Sequence, residues 1–309
     1  MFAATSPLLE QIGEPFGMSG FQIGAFVAVG LICIICGLIG PFVVGNRMAF
    51  FSDAMAHCTF AGVSLGILIT LAVGLSPGSK EMQWLVPLIM ASFGALIGVG
   101  IAYVRETTGL SSDTVIGVFF AGALGFGSML LKAIQDRNVF DPERFLFGGP
   151  ILVNWFDILN LVLLFVLVLI ILAWKTNDFL QIAVHSSLAR SRGVRVTWSN
   201  YLFIVLLALI VNFSISAVGV LLINAMLIVP AATASNITLN LRQMFRYSII
   251  FSIGSGFVGL LLSFYRFQIP GFKRSLEFGA SGTIICISVG LFALSMVIRS
   301  LKQKLVKTN

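Results

Sequence analysis

The chain places a carboxylate and an imidazole four residues apart in the segment Ser52-Asp53-Ala54-Met55-Ala56-His57. Residues at this spacing lie one turn apart on one face of a helix. Carboxylate oxygen and imidazole nitrogen both bind divalent transition metals, so Asp53 and His57 are predicted to hold one metal ion between them. The spacing equally allows an Asp–His pair that only stabilises its helix. Two ligands do not complete a metal site, and the others would come from other helices or from water.

The composition indicates that the elements positioning this pair lie in a membrane. Hydrophobic residues make up 58% of the 309 residues and charged residues only 10%, against about 25% charged in an ordinary soluble domain. The apolar runs are continuous and about 20 residues long, which is typical of membrane helices and not of the alternating strands of a β-barrel. The sequence therefore predicts an all-α, polytopic membrane helix bundle.

Nine apolar runs are long enough to span a bilayer, at residues 21–44, 48–75, 83–104, 113–131, 156–174, 200–215, 217–235, 247–264 and 282–298. The sixth and seventh form one apolar stretch, which a short turn near residues 214–219 must divide. Residues 1–20 are predicted to be an external lead-in, 21–299 the membrane domain and 300–309 a cytoplasmic tail. The longest polar segments, 20–25 residues, leave no room for a soluble domain, and the chain contains no P-loop.

The distribution of basic residues predicts the orientation. If the N-terminus is outside, 12 of the 19 Lys and Arg residues fall in cytoplasmic loops or the tail. The formal charge of +7 then reflects these loops and not a nucleic-acid surface. Counted from Arg47, a helical rise of 1.5 Å per residue puts Asp53 roughly 9 Å and His57 roughly 15 Å into the bilayer. Ionisable groups at such depth usually face a polar interior or pathway.

Small residues provide faces for close helix packing, which is what holds helices together in lipid. Such faces are expected at Gly62-x-x-x-Gly66, at Gly94-x-x-x-Gly98 and on the fourth span at Gly117, Gly122, Gly125 and Gly127. Cys33-x-x-Cys36 matches a metal or redox motif, but inside an apolar run its cysteines are more typical of packing residues.

Four motifs, in order along the chain, resemble the permease subunits of bacterial zinc, manganese and iron ABC transporters. The first is the Asp53–His57 segment with its following Ala61-Gly62-Val63, similar to the family's second-helix motif. The others are Ser112-Asp113-Thr114-Val115-Ile116-Gly117, Leu146-Phe147-Gly148-Gly149 and the stretch from Leu221 to Ala234. Ser52 stands where the family usually has Gly, Ala61 stands where it has Pro, and residues 268–279 form a longer external loop than usual.

The resemblance implies a type II ABC-importer-like fold and a permease that forms the pathway of a divalent metal ion, manganese, zinc or iron. The partners it implies are a cytoplasmic ATP-binding subunit, an extracytoplasmic metal-binding protein, a second copy of the permease and the lipid of the bacterial inner membrane, but no nucleic acid. The transported ion is cargo, and no permanently bound cofactor is expected. Asp53 and His57 inherit the family's role in the metal pathway.

The resemblance also assigns the polar segment 175–197 to contact with the ATPase, through a short coupling helix. Ala189 and Gly193 match the family pattern, whereas His185 stands where Asp is common. Ser186 and Ser187 are predicted to cap the helix start, and Gly193 to end it. Leu188 offers an apolar contact and Arg190 a charge. The alternative is a solvated basic loop that only follows the positive-inside rule.

Several alternatives stay open at this stage. Asn224 and Ser64 are candidates for lining the pathway, and Asn212 and Ser64 for either a cavity or hydrogen bonds across helices. A secondary transporter acting as a single chain would show paired broken helices, but no second Asp-x-x-x-His matches the first. An intramembrane enzyme would need a nucleophile with its base, or a complete metal set. Asp and His ligands suit manganese, iron and zinc alike, so they do not identify the metal.

Overall fold

The computed structural model describes residues 19–75, 79–134, 153, 155–265 and 278–308. Over these residues the chain forms ten α-helices: α1 Gly20–Gly45, α2 Ala49–Ala72, α3 Lys80–Thr108, α4 Ser112–Ile134, α5 Trp155–Val184, α6 Ser186–Ser191, α7 Val196–Val218, α8 Val220–Ile237, α9 Leu241–Phe264 and α10 Ala280–Thr308. All but α6 are long and apolar enough to cross a membrane, which confirms nine spans within the described part of the chain. Residues 1–18, the motif at 146–149 and most of the 268–279 loop lie outside the described residues.

The helices fall into two compact units. The first unit contains Met1–Val44, Leu146–Phe165 and Ala217–Asn309, and the second contains Gly45–Phe145 and Val166–Ser216. Thus α1 and α8–α10 belong essentially to the first unit, and α2–α4, α6 and nearly all of α7 to the second. Asp53, His57 and the proposed coupling segment all lie in the second unit.

The fifth span continues ten residues beyond the predicted end at residue 174. Helix α5 runs from Trp155 to Val184, about 45 Å at 1.5 Å per residue, against a hydrocarbon core of about 30 Å. The extra turns contain no Gly or Pro. The Lys175 ammonium pairs with the Asp178 carboxylate at 2.8 Å, and the Phe179 ring packs against Phe203. The polarity of residues 175–184 does not stop the helix, so the predicted end of this element at residue 174 is wrong by ten residues.

The turn that divides the sixth and seventh spans lies at Gly219. Helix α7 ends at Val218 and α8 begins at Val220, and Gly219 between them has φ of 83°. Only glycine adopts this left-handed conformation without strain. The prediction of a turn near residues 214–219 is therefore confirmed, although the break takes a single residue.

Glycines bring the helices of the second unit into backbone contact. A Cβ added at Gly62 of α2 would lie 3.2 Å from the Met90 Cα of α3, and one at Gly127 of α4 would lie 3.0 Å from the Ala61 Cα. These two glycines thus form the expected packing faces. Gly117, Gly122 and Gly125 have nothing within 4 Å of such a Cβ, so these three glycines are not points of close approach between described helices.

Glycines also allow close helix packing in the first unit, and one of the two cysteines of the C-x-x-C pair packs against such a glycine. Cys33 and Cys36 are both buried in α1. A Cβ added at Gly256 of α9 would come within 2.3 Å of the Cys33 sulfur, and the Ser252 hydroxyl donates to the Cys33 carbonyl at 2.8 Å. The Cys33 side chain therefore occupies the space that Gly256 leaves, which favours the packing interpretation of the C-x-x-C pair.

Replacing Gly37 with Ala is expected to destabilise the first unit by about 1–3 kcal/mol, the usual cost of overpacking. A Cβ at Gly37 would lie 2.8 Å from the Ile249 Cα, so α1 and α9 would have to separate. Thermal unfolding in detergent measures the effect. Gly254→Ala on α9 is the matched control, because nothing lies within 4 Å of its Cβ position, and it should be neutral or slightly stabilising. Equal melting temperatures for the two variants would contradict this packing account.

Candidate metal site and coupling segment

Helix α2 holds Asp53 and His57 on one face, one turn apart. The Asp53 Oδ1 and His57 Nε2 atoms are 4.0 Å apart. This is too long for a direct hydrogen bond but close to the separation of two ligands on one ion. With metal–ligand bonds of about 2.1 Å, tetrahedral geometry needs roughly 3.4 Å between the ligand atoms, so a small side-chain rotation suffices.

Phe120 of α4 orients the imidazole. Its ring meets the His57 ring edge to face, with centroids 4.8 Å apart and an interplanar angle of 87°. This arrangement suits aromatic quadrupoles and restricts rotation of the imidazole about χ2. The sequence gives no signal for this contact, because Phe120 is one of 28 phenylalanines and lies on a different helix.

The Asp–His pair lies on the accessible side of an otherwise well-packed helix. The Asp53 side chain is 54% exposed and the His57 side chain 29% exposed, whereas Phe51, Ser52, Met55 and Cys58 between and around them are fully buried. Cys58 follows His57 in sequence but points into the protein and is no partner for the same ion. At this point of α2 the carboxylate and the imidazole are thus exposed in the single chain, while the Cys58 thiol is not.

The described residues contain no cluster of three or more His, Cys, Asp or Glu side chains that could hold a metal ion. Among the described residues Asp53 and His57 are therefore a pair of potential ligands, and a site with four or more donors would need further ones from water or from another chain.

The other predicted polar residues are placed differently. Ser64 is buried, and its hydroxyl donates to the Phe60 carbonyl of its own helix at 3.0 Å. Asn224 lies on α8 in the first unit, six residues before Pro230. Asn212 accepts a hydrogen bond from the Thr59 hydroxyl at 2.6 Å. Of the two roles predicted for Asn212, lining a cavity or bonding across helices, the structure therefore shows the second.

The predicted coupling segment contains the short helix α6, at Ser186–Ser191. Its N-cap is His185, so the expected cap at Ser186 or Ser187 is wrong by one or two positions. The Ser187 hydroxyl instead lies 3.1 Å from Nδ1 of His185. The predicted helix end is confirmed: Gly193 has φ of 80°, and the Val194 amide donates back to the Ala189 carbonyl at 3.1 Å.

Helix α6 presents an apolar side chain outward. Leu188 is 57% exposed, whereas the adjacent Ala189 is fully buried and anchors the helix. Arg190 is exposed beside them. The segment thus combines a fixed backbone with an outward leucine and arginine, an arrangement suited to contact with another protein.

Three arginines from separate parts of the second unit line one open cavity of about 700 Å³. They are Arg47 after α1, Arg105 near the end of α3 and Arg190 in α6. The loop after α1, the end of α3 and the coupling segment therefore lie close together in the second unit.

Comparison with known proteins gives matches along most of the chain. The model of the ABC 3 transport family matches residues 18–299. The high-affinity zinc uptake system membrane protein ZnuB of Buchnera aphidicola is 29% identical over 235 residues, covering 76% of this chain and 85% of that protein. The manganese import system permease protein ScaB of Streptococcus gordonii is 27% identical over 287 residues, covering 93% and 94%.

A solved structure, PsaBC from Streptococcus pneumoniae in complex with Fab, superposes with a TM-score of 0.74 at 24% identity. The match covers 97% of this chain and 100% of that chain. At this identity the likeness concerns the fold alone, and it confirms the expected all-α, type II importer-like architecture.

Proposed function

Because this chain belongs to the ABC 3 transport family, we propose that Asp53 and His57 bind the ion that it transports. The chain is a membrane-spanning permease subunit of a metal ABC importer: it aligns over most of its length with permeases named for zinc and manganese uptake. The ion is a divalent metal, manganese, zinc or iron, and is cargo. Selection among these metals falls to an extracytoplasmic binding protein, since the Asp–His pair suits all three.

The observation that carries this proposal is the accessible Asp–His pair on α2. A carboxylate and an imidazole with ligand atoms 4.0 Å apart, inside a membrane-spanning helix, are costly unless they face a polar pathway. An ion passing along this face exchanges water ligands for one oxygen and one nitrogen. Asn224 and Ser64 are also proposed to line the pathway. Asn224 lies on α8 of the first unit, and the Ser64 hydroxyl bonds within its own helix.

A second copy of the permease supplies the metal ligands that a single copy lacks. Two ligands of this type from each chain make four, enough for a closed metal site. The face of α4 that carries Gly117, Gly122 and Gly125 is open, and small residues allow two such helices to approach closely. The proposed assembly is a homodimer in the bacterial inner membrane, with each N-terminus outside and each C-terminus in the cytoplasm.

Energy enters through a separate ATP-binding subunit. Helix α6 with its outward Leu188 and Arg190 is the proposed docking element, together with Ser186, Ser187, Ala189 and Gly193 that shape it. The three arginines around the neighbouring cavity support a cytoplasmic location for this side.

Transport in proteoliposomes tests the proposed function. Vesicles containing the permease and its ATPase should accumulate zinc or manganese when the binding protein is present on one side and ATP on the other. Uptake should be unaffected by an uncoupler that collapses ion gradients. Uptake driven by a proton or sodium gradient without ATP would instead support a secondary transporter.

The assembly should contain two permeases and two ATPase subunits. Native mass spectrometry of the complex purified in mild detergent measures this composition. A complex with one copy of each subunit that still transports metal would contradict the homodimer, because one permease supplies only half of the proposed ligands.

A further inference from the structure

A buried polar contact joins the helix that carries Asp53 and His57 to the helix that follows the coupling segment. Thr59 of α2 and Asn212 of α7 are both fully buried in the second unit. The Thr59 hydroxyl lies 2.6 Å from Asn212 Oδ1 and 2.7 Å from the Met55 carbonyl, so its single proton is shared between two acceptors. The Asn212 amide nitrogen donates to the Ala208 carbonyl at 2.7 Å.

A third helix encloses this contact. A Cβ added at Gly94 of α3 would lie 2.0 Å from the Asn212 amide nitrogen, so the amide fits only because residue 94 is glycine. One turn further along α3, a Cβ at Gly98 would touch Ala208 at 3.4 Å. The Asn212 side chain is thus held between α2 and α3, with one hydrogen bond to each of α2 and its own helix.

The Thr59–Asn212 contact lies where a displacement of α7 would be transmitted to α2. Thr59 is two residues after His57, on the buried side of the same helix turn. Asn212 is 16 residues after the start of α7, about 24 Å along that helix. Only residues 192–195 separate α7 from α6. A single uninterrupted helix therefore connects the coupling segment to the interior of the second unit, where the contact with Thr59 of α2 lies.

Packing alone does not require polar groups at this place. An apolar pair of the same shape would fill the space equally well, whereas a polar pair in a lipid-embedded core specifies one register between its helices. The Thr59 hydroxyl can reach Asn212 only at one axial offset of α2 against α7. A displacement of α7 must therefore either carry α2 with it or break the bond.

We propose that Thr59 and Asn212, with Gly94 making room, are positioning residues that couple α7 to the metal-bearing helix. In this role they convert movement of the coupling segment into movement of the Asp53–His57 pair. The inference rests on the proposed function of that pair and of α6. Loss of the contact should uncouple transport from hydrolysis without removing the metal ligands or the ATPase docking surface.

The test is the ratio of zinc transported to ATP hydrolysed, measured with the reconstituted permease–ATPase complex. Thr59→Val removes the hydroxyl and keeps the shape of the side chain. It should assemble normally and hydrolyse ATP at a rate within about twofold of the original protein, while the zinc-to-ATP ratio falls about tenfold, the change that a modest coupling free energy gives. Thr59→Ser, which keeps the hydroxyl, should restore the ratio.

A second set of variants, Asn212→Leu alone and Asn212→Leu combined with Thr59→Val, is tested by the same zinc-to-ATP ratio. Because the two residues act through one bond, the double variant should be no worse than either single variant. An unchanged zinc-to-ATP ratio in Thr59→Val, or equal losses in Thr59→Val and Thr59→Ser, would overturn the proposal. Normal transport by Asp53→Asn and His57→Ala would instead overturn the proposed function, so the two failures are distinguishable.

Discussion

Asp53→Asn and His57→Ala are each expected to abolish ATP-driven metal uptake while the protein still inserts and assembles. Each change removes one of only two ligands of this type that the described chain offers at the site. Loss of a residue that merely supports a ligand costs about 10–100-fold in metal affinity or activity, and loss of the ligand itself should cost more. Uptake of radioactive zinc or manganese, corrected for the amount of permease in the membrane, measures the effect.

Cys58→Ala is the matched control for this pair. Cys58 is adjacent to His57 on the same helix and is also a metal-binding residue type, but it is fully buried on another face. It should transport at close to the original rate. The site assignment fails if Asp53→Asn and His57→Ala both transport normally, or if Cys58→Ala loses transport while the protein amount is unchanged.

Leu188→Asp is expected to stop transport by a different route. Leu188 is the exposed apolar residue of α6, and placing a carboxylate there puts an unpaired charge into the contact with the ATPase. Binding of the ATPase should weaken by at least about tenfold, the minimum expected for a residue at the centre of an interface. Co-purification and ATPase binding to the detergent-solubilised permease measure this loss, with Asp53 and His57 intact.

Changing Lys302 and Lys304 to Gln is the control for the coupling segment. These residues belong to the predicted cytoplasmic tail, whose charge serves mainly to set topology. The double variant should bind the ATPase and transport metal nearly normally. If it fails and Leu188→Asp transports normally, the coupling element lies in the tail and not in α6.

The spans could be predicted from the sequence because their signal is local. An apolar run of about 20 residues must cross the bilayer wherever its neighbours lie, so all nine predicted spans coincide with helices in the described residues. Helix ends follow other rules. The extension of α5 to Val184 contains the Lys175–Asp178 ion pair and places Phe179 against Phe203, and hydropathy records neither contact.

Only the part of the candidate site that lies on a single helix could be predicted from the sequence. Asp53 and His57 are related by helical periodicity, which the sequence displays. The contact between Phe120 and His57 joins two residues that are 63 positions apart in the sequence, and the Thr59–Asn212 bond joins two that are 153 positions apart. A single sequence contains no record of such pairings. The available signal was polarity: Thr59 and Asn212 interrupt apolar spans, and buried polar groups must find partners.

X-ray absorption spectroscopy of the zinc-loaded permease–ATPase complex, purified without the external binding protein, tests most directly whether Asp53 and His57 hold the ion. The zinc spectrum should show light-atom ligands with the outer-shell scattering of imidazole. His57→Ala should lose that imidazole signal or the bound zinc itself, and Cys58→Ala should keep both. An unchanged zinc content and an unchanged imidazole signal in His57→Ala would contradict the account.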